Sequence, residues 1–498
     1  MKRSKKHIAV IGGGWAGCAA AVELTAAGHQ VALIEASRIL GGRARSLRSM
    51  RAGLTTPQPL DDWESKLDNG QHILLGAYRE TLRLMRLVGV NLDTSLLRLP
   101  LQMRYPSGCG GMDFLSARLP APWHVIAGLW RATGLARSEK MALARFTTAA
   151  RWIDWRLNQD CSVSELLIRF EQPARLITLL WRPLCLAALN TSPQNASAQI
   201  FLNVLRDSLG AGRAASDMLI PRVDLSSLFP APAASFLQTR GGEINFGKRV
   251  QSIANHEAKW QLSYLPIQNP TADRQAHSDT DLSRSKPIHQ VERNNPVLFD
   301  GIVLATPISE TRRLMSTRRQ SVGDGARAKT EAEAETGKPL LDNFSYQSIT
   351  TCYLQYASTV QLTLPFYALI DDPKLHRFGQ FVFDRGQLDV TQSGLLAVVI
   401  SASAAATTWP HDQLAKALAE QLADAFDRSE LRQPVKIKVI SEKRATFSCH
   451  PELIRPVSTT DCPTLVLAGD FVDSAYPATL ESAVQSGVHA ARLLMKSL

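Results

Sequence analysis

Short apolar runs open and close this chain, and longer helix-like patterns fill its middle. His7 to Ile11 reads as a strand, an Ala-rich helix follows, and Val31 to Glu35 is a second strand ending in an acid. Near the other end, Thr464 to Asp470 reads as a buried strand, and Pro477 suits the first turn of the helix after it. Ala483, Gly487 and Ala491 recur every fourth residue, so one face of that helix can sit close against a neighbour. Between the ends, Ser138 to Leu157 carries Met141, Leu143, Phe146, Trp152, Ile153 and Trp155, and Ala174 to Leu189 is nearly all apolar around Trp181. Pro183 should kink or end the second of these helices. Strand patterns recur at Arg249–Ile253, Asp300–Pro307, Ile349–Tyr356, Leu395–Ser401 and Val435–Ser441, and His411 to Phe426 has a helical period. There is no internal repeat.

The first run carries chemistry. Gly12-Gly13-Gly14-Trp15-Ala16-Gly17 sits between strand and helix, in the Gly-x-Gly-x-x-Gly spacing of a dinucleotide site. Gly12 permits a tight turn, Gly14 lets backbone approach a pyrophosphate, and Gly17 lets the helix pack on the sheet. The helix start at Trp15, Ala16 and Gly17 offers unpaired amides and a partial positive charge to phosphates. Glu35 can accept hydrogen bonds from ribose hydroxyls.

The next residues favour FAD over NAD. Gly41 and Gly42 remove side chains where backbone must approach a ligand, and Arg43 and Arg45 can neutralise pyrophosphate charge. At the C-terminal end, Gly469 and Asp470 end the strand. Asp470 can bond a ribitol hydroxyl, and the helix start at Thr479 and Leu480 can point its dipole at a flavin carbonyl. The plainer alternative, Asp470 as an ordinary helix cap, would make the convergence of both chain ends on one nucleotide a coincidence.

Taken together, the N-terminal motif, the Gly-Gly-Arg and the terminal Ala468-Gly469-Asp470 with Pro477-Ala478-Thr479-Leu480-Glu481 resemble the FAD-dependent amine oxidase and carotenoid desaturase superfamily. Within it, Leu67-Asp68-Asn69-Gly70-Gln71-His72 through Tyr78, and Trp181-Arg182-Pro183-Leu184-Cys185, are similar to the squalene-associated branch, the hydroxysqualene dehydroxylases. The resemblance implies an α/β fold: a Rossmann-like FAD-binding domain of the glutathione-reductase or amine-oxidase type, interleaved with a mixed α/β substrate domain. The FAD-binding parts are expected at 1–80, 236–310 and 441–498, a helical substrate region at 81–235, and the rest of the substrate domain at 311–440. It also implies that Val250 offers a backbone group to the adenine, although a plain sheet strand there reads as well. Gln268 to Pro296 and Ser316 to Lys338 depart from the pattern. Both are too polar to offset their ordering entropy and are expected to be mobile surface insertions. The middle helices either bury their apolar faces in a core or line a tunnel for a long hydrocarbon.

Composition narrows the class. Hydrophobic residues make up 45% of 498 and charged ones 20%, an ordinary globular balance that argues against disorder. Seven cysteines with no Cys-x-x-Cys spacing make a poor disulfide framework, so a reduced, cytoplasmic compartment is expected. The basic start runs straight into the nucleotide motif and reads as a fold element, not a signal peptide. No apolar stretch reaches membrane-span length. The net charge of +11 is not concentrated among interleaved aromatics, so nucleic acid is not expected. Attraction to an anionic leaflet, on the inner face of the cytoplasmic membrane, fits better. Metal-ligand spacing and the Gly-x-Ser-x-Gly elbow of hydrolases are both missing.

The implied reaction removes the hydroxyl of hydroxysqualene as water and delivers hydride from reduced FAD. A general acid is therefore needed, and Asp68, His72, Asp473 and Tyr476 are the candidates. Each also has a plain reading: turn or cap for Asp68, core imidazole for His72, turn residue for Asp473, packing for Tyr476. The expected partners are a long isoprenoid substrate, an anionic membrane surface and neighbouring squalene-pathway synthases. Three alternatives stay open: a carotenoid-type desaturase, an amine oxidase, or a flavin-bound carrier without catalysis.

Overall fold

Five parallel strands form the central sheet, in the spatial order Leu465–Leu467, Gly301–Leu304, His7–Ile11, Gln30–Glu35, Glu243–Phe246. The first and last strands of the chain are thus separated by a single strand. The computed structural model describes residues 5–47, 63–64, 67–256, 259–266, 297–321, 341 and 343–498. Residues 268–296 lie outside these, as do 322–338 of the second expected insertion. Residues 316–321 do not begin an insertion, because they continue the helix Ile308–Ser321.

Alternation along the first strand explains the layers. Ile8 and Val10 join a core with the helices Trp15–Ala26, Pro230–Gln238 and Leu480–Ser497, while Ala9 and Ile11 face a second core with Trp181, Phe201 and Trp260. The spacing of small residues in the closing helix has the expected effect. A Cβ on Gly487 would lie 2.1 Å from the Ala16 carbonyl oxygen, so the first and last helices touch backbone to backbone. That helix starts at Leu480, however, and not near Pro477. Thr479 is its cap, accepting from the Ser482 amide at 3.1 Å, and Pro477 stays in the preceding loop. Leu82, Leu84 and Met85 of Arg79–Leu87, and Ala233, Phe236 and Leu237 of Pro230–Gln238, also pack in this core.

The middle helices are core on one side only. Phe146, Trp181 and Phe201 pack in series, the first pair tilted and the second edge-to-face, with ring centroids 4.5 and 6.2 Å apart, and the Trp181 indole donates to Gln172 at 2.9 Å. Met141 and Trp152, which share the helix Arg137–Trp152 with Phe146, are exposed instead. The chain does not break at Pro183. A π-helical turn, Ile177–Trp181, precedes it, and Pro183 then falls in the first turn of Arg182–Leu189, where a missing amide is tolerated.

A second, antiparallel sheet runs Phe366–Ala368, Phe381–Asp384, Leu395–Ser401, Tyr346–Gln355, Lys436–Phe447. The helix His411–Phe426 covers the face that carries Cys352, Leu354 and Val398. Thr351 and Tyr353 alternate onto the opposite face, and it is this face that meets the segment after residue 67.

Candidate functional site

Sterics fix the turn after the first strand. Gly12 has φ +104°, and a Cβ there would lie 2.4 Å from the Ala305 carbonyl oxygen; one on Gly17 would lie 1.8 Å from that of Gly12. Gly14 is different. Its added Cβ would meet nothing nearer than Gly42 Cα, at 4.0 Å, so open space lies in front of the helix. Gly14 is also the N-cap and has no side chain to give, leaving the first-turn amides of Trp15, Ala16 and Gly17 without a side-chain acceptor.

The second glycine turn lies on the first. Gly41 donates to the Gly13 carbonyl at 2.8 Å, and a Cβ on Gly42 would come within 3.1 Å of Gly14 Cα. Gly41 and Gly42 both have positive φ, +108° and +60°. The Glu35 carboxylate is held at the edge of this cradle, accepting from the amides of Gly13 at 2.6 Å and Ser37 at 2.7 Å. Arg45 packs beside Gly41, and its Nε is buried with no hydrogen-bond partner among the described residues. An uncapped helix start, two side-chain-free turns and a buried guanidinium nitrogen lacking an acceptor fit a pyrophosphate. Val250 is buried on the strand Lys248–His256, which packs beside Gln30–Glu35; its carbonyl accepts from Arg313 at 2.5 Å.

The C-terminal segment closes over the cradle. Arg43 donates to Asp470 at 2.7 Å and to the Ala445 carbonyl at 2.8 Å. Gly469, at φ +150°, donates to Ser486 at 3.0 Å on the closing helix. Arg455 organises the loop between this strand and that helix: its buried guanidinium donates to the carbonyls of Asp470, Phe471, Val472, Ser474 and Tyr476. Burial pushes its pKa down, and the carbonyl dipoles solvate the charge in place of water. Glu481, also buried, accepts from the amides of Glu80 and Thr81 and so ties the closing helix to Arg79–Leu87. Sequence reasoning missed both residues. Arg455 is a lone arginine before a proline, and nothing local marks it.

The four acid candidates separate clearly. Tyr476 donates a hydrogen bond from its hydroxyl to Asp207, and burial, with that carboxylate second, raises its pKa to about 12, so it keeps its proton. Asp473 is exposed. His72 donates from Nδ1 to the Gly70 carbonyl at 2.8 Å, because a carbonyl can only accept; burial lowers its pKa, so the ring is neutral and Nε2 carries a lone pair. Asp68 is 3% exposed, and burial raises its pKa to about 7 against the opposing pull of Arg385.

Long-range contacts hold Asp68. Its Oδ1 accepts from the Leu225 amide at 2.9 Å, and its carbonyl accepts from the Tyr353 hydroxyl at 3.0 Å. The Gly-Gly-Arg loop pairs with this segment: Leu47 donates to Leu67 at 2.8 Å, Asn69 to the Arg45 carbonyl at 3.0 Å, and the Asn69 side chain to the Arg43 carbonyl. Arg385, fully enclosed, bonds Gln71 and Gln392, each at 2.9 Å. Asp68 and His72 therefore belong to the cradle's neighbourhood, whereas Tyr476 points to the helix Ala198–Ser208. A polar groove of about 580 Å³ lined by Asp160, Glu165 and His450 shares no residue with the cradle. Among the described residues, no cluster of side chains could hold a metal ion.

Known proteins match the whole length. The chain is 25% identical to a hydroxysqualene dehydroxylase of Zymomonas mobilis and 26% identical to one of Rhodopseudomonas palustris, each match covering 98% of both chains. An oxidoreductase structure from Methanosarcina mazei superposes with a TM-score of 0.64 at 14% identity, over 98% of this chain and 99% of that one. It shares the fold. The model of the flavin-containing amine oxidoreductases matches residues 15–495, and with the cradle built as FAD requires, the chain belongs to that family of oxidoreductases.

Proposed function

We propose that the protein reduces hydroxysqualene to squalene, with the hydroxyl leaving as water, in squalene or hopanoid biosynthesis. One observation carries this reading. Three relatives that bear that name each match over 98% of the chain, a span that includes the Asp68 segment packed on the Gly-Gly-Arg loop. Bound in its reduced form, FAD supplies the hydride.

The remaining chemistry falls to the protein. Asp68 is the proton donor: a carboxyl with a pKa of about 7 is still half protonated at neutral pH. As the C–O bond breaks, the oxygen departs as water with that proton, and the allylic cation left on the hydrocarbon takes up hydride to form the new C–H bond. The sum is hydroxysqualene plus reduced FAD giving squalene, water and oxidised FAD. Neutral His72 serves as a hydrogen-bond acceptor through Nε2 and is no acid. Phe366, Phe381 and Leu395, buried beside Tyr353, keep the region dry, which protects a cation from capture by water. Bound FAD would be held by Val250 at the adenine, Glu35 at the ribose and Asp470 at the ribitol. The substrate, too apolar to diffuse freely, arrives from an anionic membrane surface or from a squalene-pathway synthase.

Anaerobic incubation of the photoreduced holoprotein with hydroxysqualene tests this. Yellow colour should return as squalene appears in the extract, mole for mole. Yellow returning without squalene, or no reoxidation at all, ends the reading.

A further inference from the structure

The helix Trp123–Arg131 has two unlike faces. Inward, Val125 and Leu129 pack on the apolar cluster that holds Tyr353, Phe366 and Phe381, and His124 is fully buried. The helix is seated without slack, because a Cβ on Gly128 would come within 2.7 Å of the Leu115 carbonyl oxygen. Outward, Trp123, Ile126 and Trp130 are 60%, 50% and 83% exposed and succeed one another at helical spacings of three and four. The adjoining helix Arg137–Trp152 repeats the arrangement with Met141 at 59% and Trp152 at 90%. Lys140 fastens the two helices together through the carbonyls of Trp130, at 2.9 Å, and Ala132, at 2.6 Å.

Charge says what covers this face. From 115 to 152 the chain carries six basic side chains, Arg118, Arg131, Arg137, Lys140, Arg145 and Arg151, against one acid, Glu139. Glu139 is buried and spent on the Ala136 amide and Arg175. The five arginines are exposed, and none forms an ion pair with a described residue. Exposed tryptophans flanked by unpaired arginines suit the boundary of a bilayer, where indoles lie at headgroup level and guanidinium groups meet anionic lipid. No helix among the described residues is long and apolar enough to cross a membrane; the amphipathic character of this face suits superficial contact.

We propose that the outward face of Trp123–Arg131 and Arg137–Trp152 docks on an anionic bilayer. It rests on the hydroxysqualene reading only for its purpose, which is to bring an apolar substrate within reach. The docking itself needs no substrate.

Flotation of the FAD-loaded full chain with vesicles of phosphatidylcholine containing about 30% phosphatidylglycerol tests it directly. Binding should be at least about tenfold tighter than to phosphatidylcholine alone and should fall with added salt. R131Q/R137Q should weaken it by about fivefold per arginine, and W123S/W130S by about tenfold or more, with flavin content unchanged in both. Equal binding to the two vesicle types, or unaltered binding by W123S/W130S, overturns the proposal. So does a wild-type dimer that W123S/W130S converts to monomer, since the face would then join copies of this chain. Hydroxysqualene turnover can fail while vesicle binding stands, so the two ideas are judged apart.

Discussion

The cofactor cradle and the Asp68 cluster lie side by side and are held by opposite means. In the cradle, absence of side chains does the holding: Gly12 and Gly17 are needed because backbone oxygens stand 2.4 and 1.8 Å from where a Cβ would be. In the cluster, side chains and amides arrive from far along the sequence. Leu225 is 157 residues from Asp68, Tyr353 is 285 away, and Arg385 reaches Gln71 across 314. A region fixed by exclusion breaks when an atom is added where backbone already stands. A region fixed by polar partners tolerates an isosteric change but responds to charge.

Adding one methyl group to each of two glycines tests the first half of that contrast, and the largest effect is expected here. Gly17→Ala drives a carbon into the Gly12 carbonyl, where backbone cannot yield, and should cost about 3 kcal/mol or more of stability. The purified protein should be colourless. Gly14→Ala, with φ −71° and open space around it, should keep the melting temperature yet weaken FAD by about tenfold or more, because the new methyl occupies ligand volume. Flavin stoichiometry and thermal melting read both. A Gly14→Ala variant that binds FAD normally would show that the open space is not the pyrophosphate site.

Asp68→Asn tests the other half. The amide keeps an oxygen for the Leu225 N–H, so the fold should survive, while loss of the proton should lower turnover by about 10²–10⁴-fold. Wild-type activity should decline as pH rises through about 7, since the protonated form is required. Stability carries the same signature with a defined sign. The folded carboxyl holds its proton up to about 7 and the unfolded one only to 3.8, so between these values unfolding releases a proton and stability drops as pH rises. Asp68→Asn removes that slope. Urea titrations at several pH values would expose a mistaken assignment if both proteins changed in parallel.

The same contrast decides what is legible in the sequence. The glycine turns, Glu35, Gly41, Gly42 and the face of Ala483, Gly487 and Ala491 can be read because local backbone sterics dictate them. The choice among Asp68, His72, Asp473 and Tyr476 cannot, because it turns on burial and on partners in other strands. Nothing near Tyr476 announces Asp207, and nothing near Asp68 announces Arg385. Pro477 misleads about the helix start for a related reason: proline fits a first turn, but the Thr479 cap with Ser482 competes and wins. Met141 and Trp152 share the apolar pattern of the core residues around them, although tertiary packing leaves both outside.

Arg455 combines the two modes, holding a glycine-led loop by polar contacts to five carbonyls. Arg455→Met leaves those oxygens unbonded in a buried site and should cost about 2–4 kcal/mol. Arg455→Lys keeps the charge but loses the fork, and should recover only part of it. If the loop positions the flavin, both variants should also bind FAD more weakly, and the flavin midpoint potential should move as the loop relaxes. Unchanged affinity and potential alongside lowered stability would limit Arg455 to a structural role.

The smallest effect is expected at the ion pair that joins the chain's two ends. Arg43 and Asp470 are 2.7 Å apart, but the Arg43 side chain is 40% exposed, against 11% for Asp470. Water and salt therefore screen the pair, and the coupling from a double-mutant cycle of Arg43→Gln with Asp470→Asn should be about 1 kcal/mol or less. It should shrink further at high ionic strength. If the pyrophosphate of FAD fills the adjacent glycine turn, it would displace solvent beside the same arginine, and charge would be felt more strongly there. The cycle repeated on FAD affinity should then give a larger coupling than the cycle on folding. Equal couplings would mean that Arg43 closes the protein on itself and contributes nothing further once the cofactor is in place.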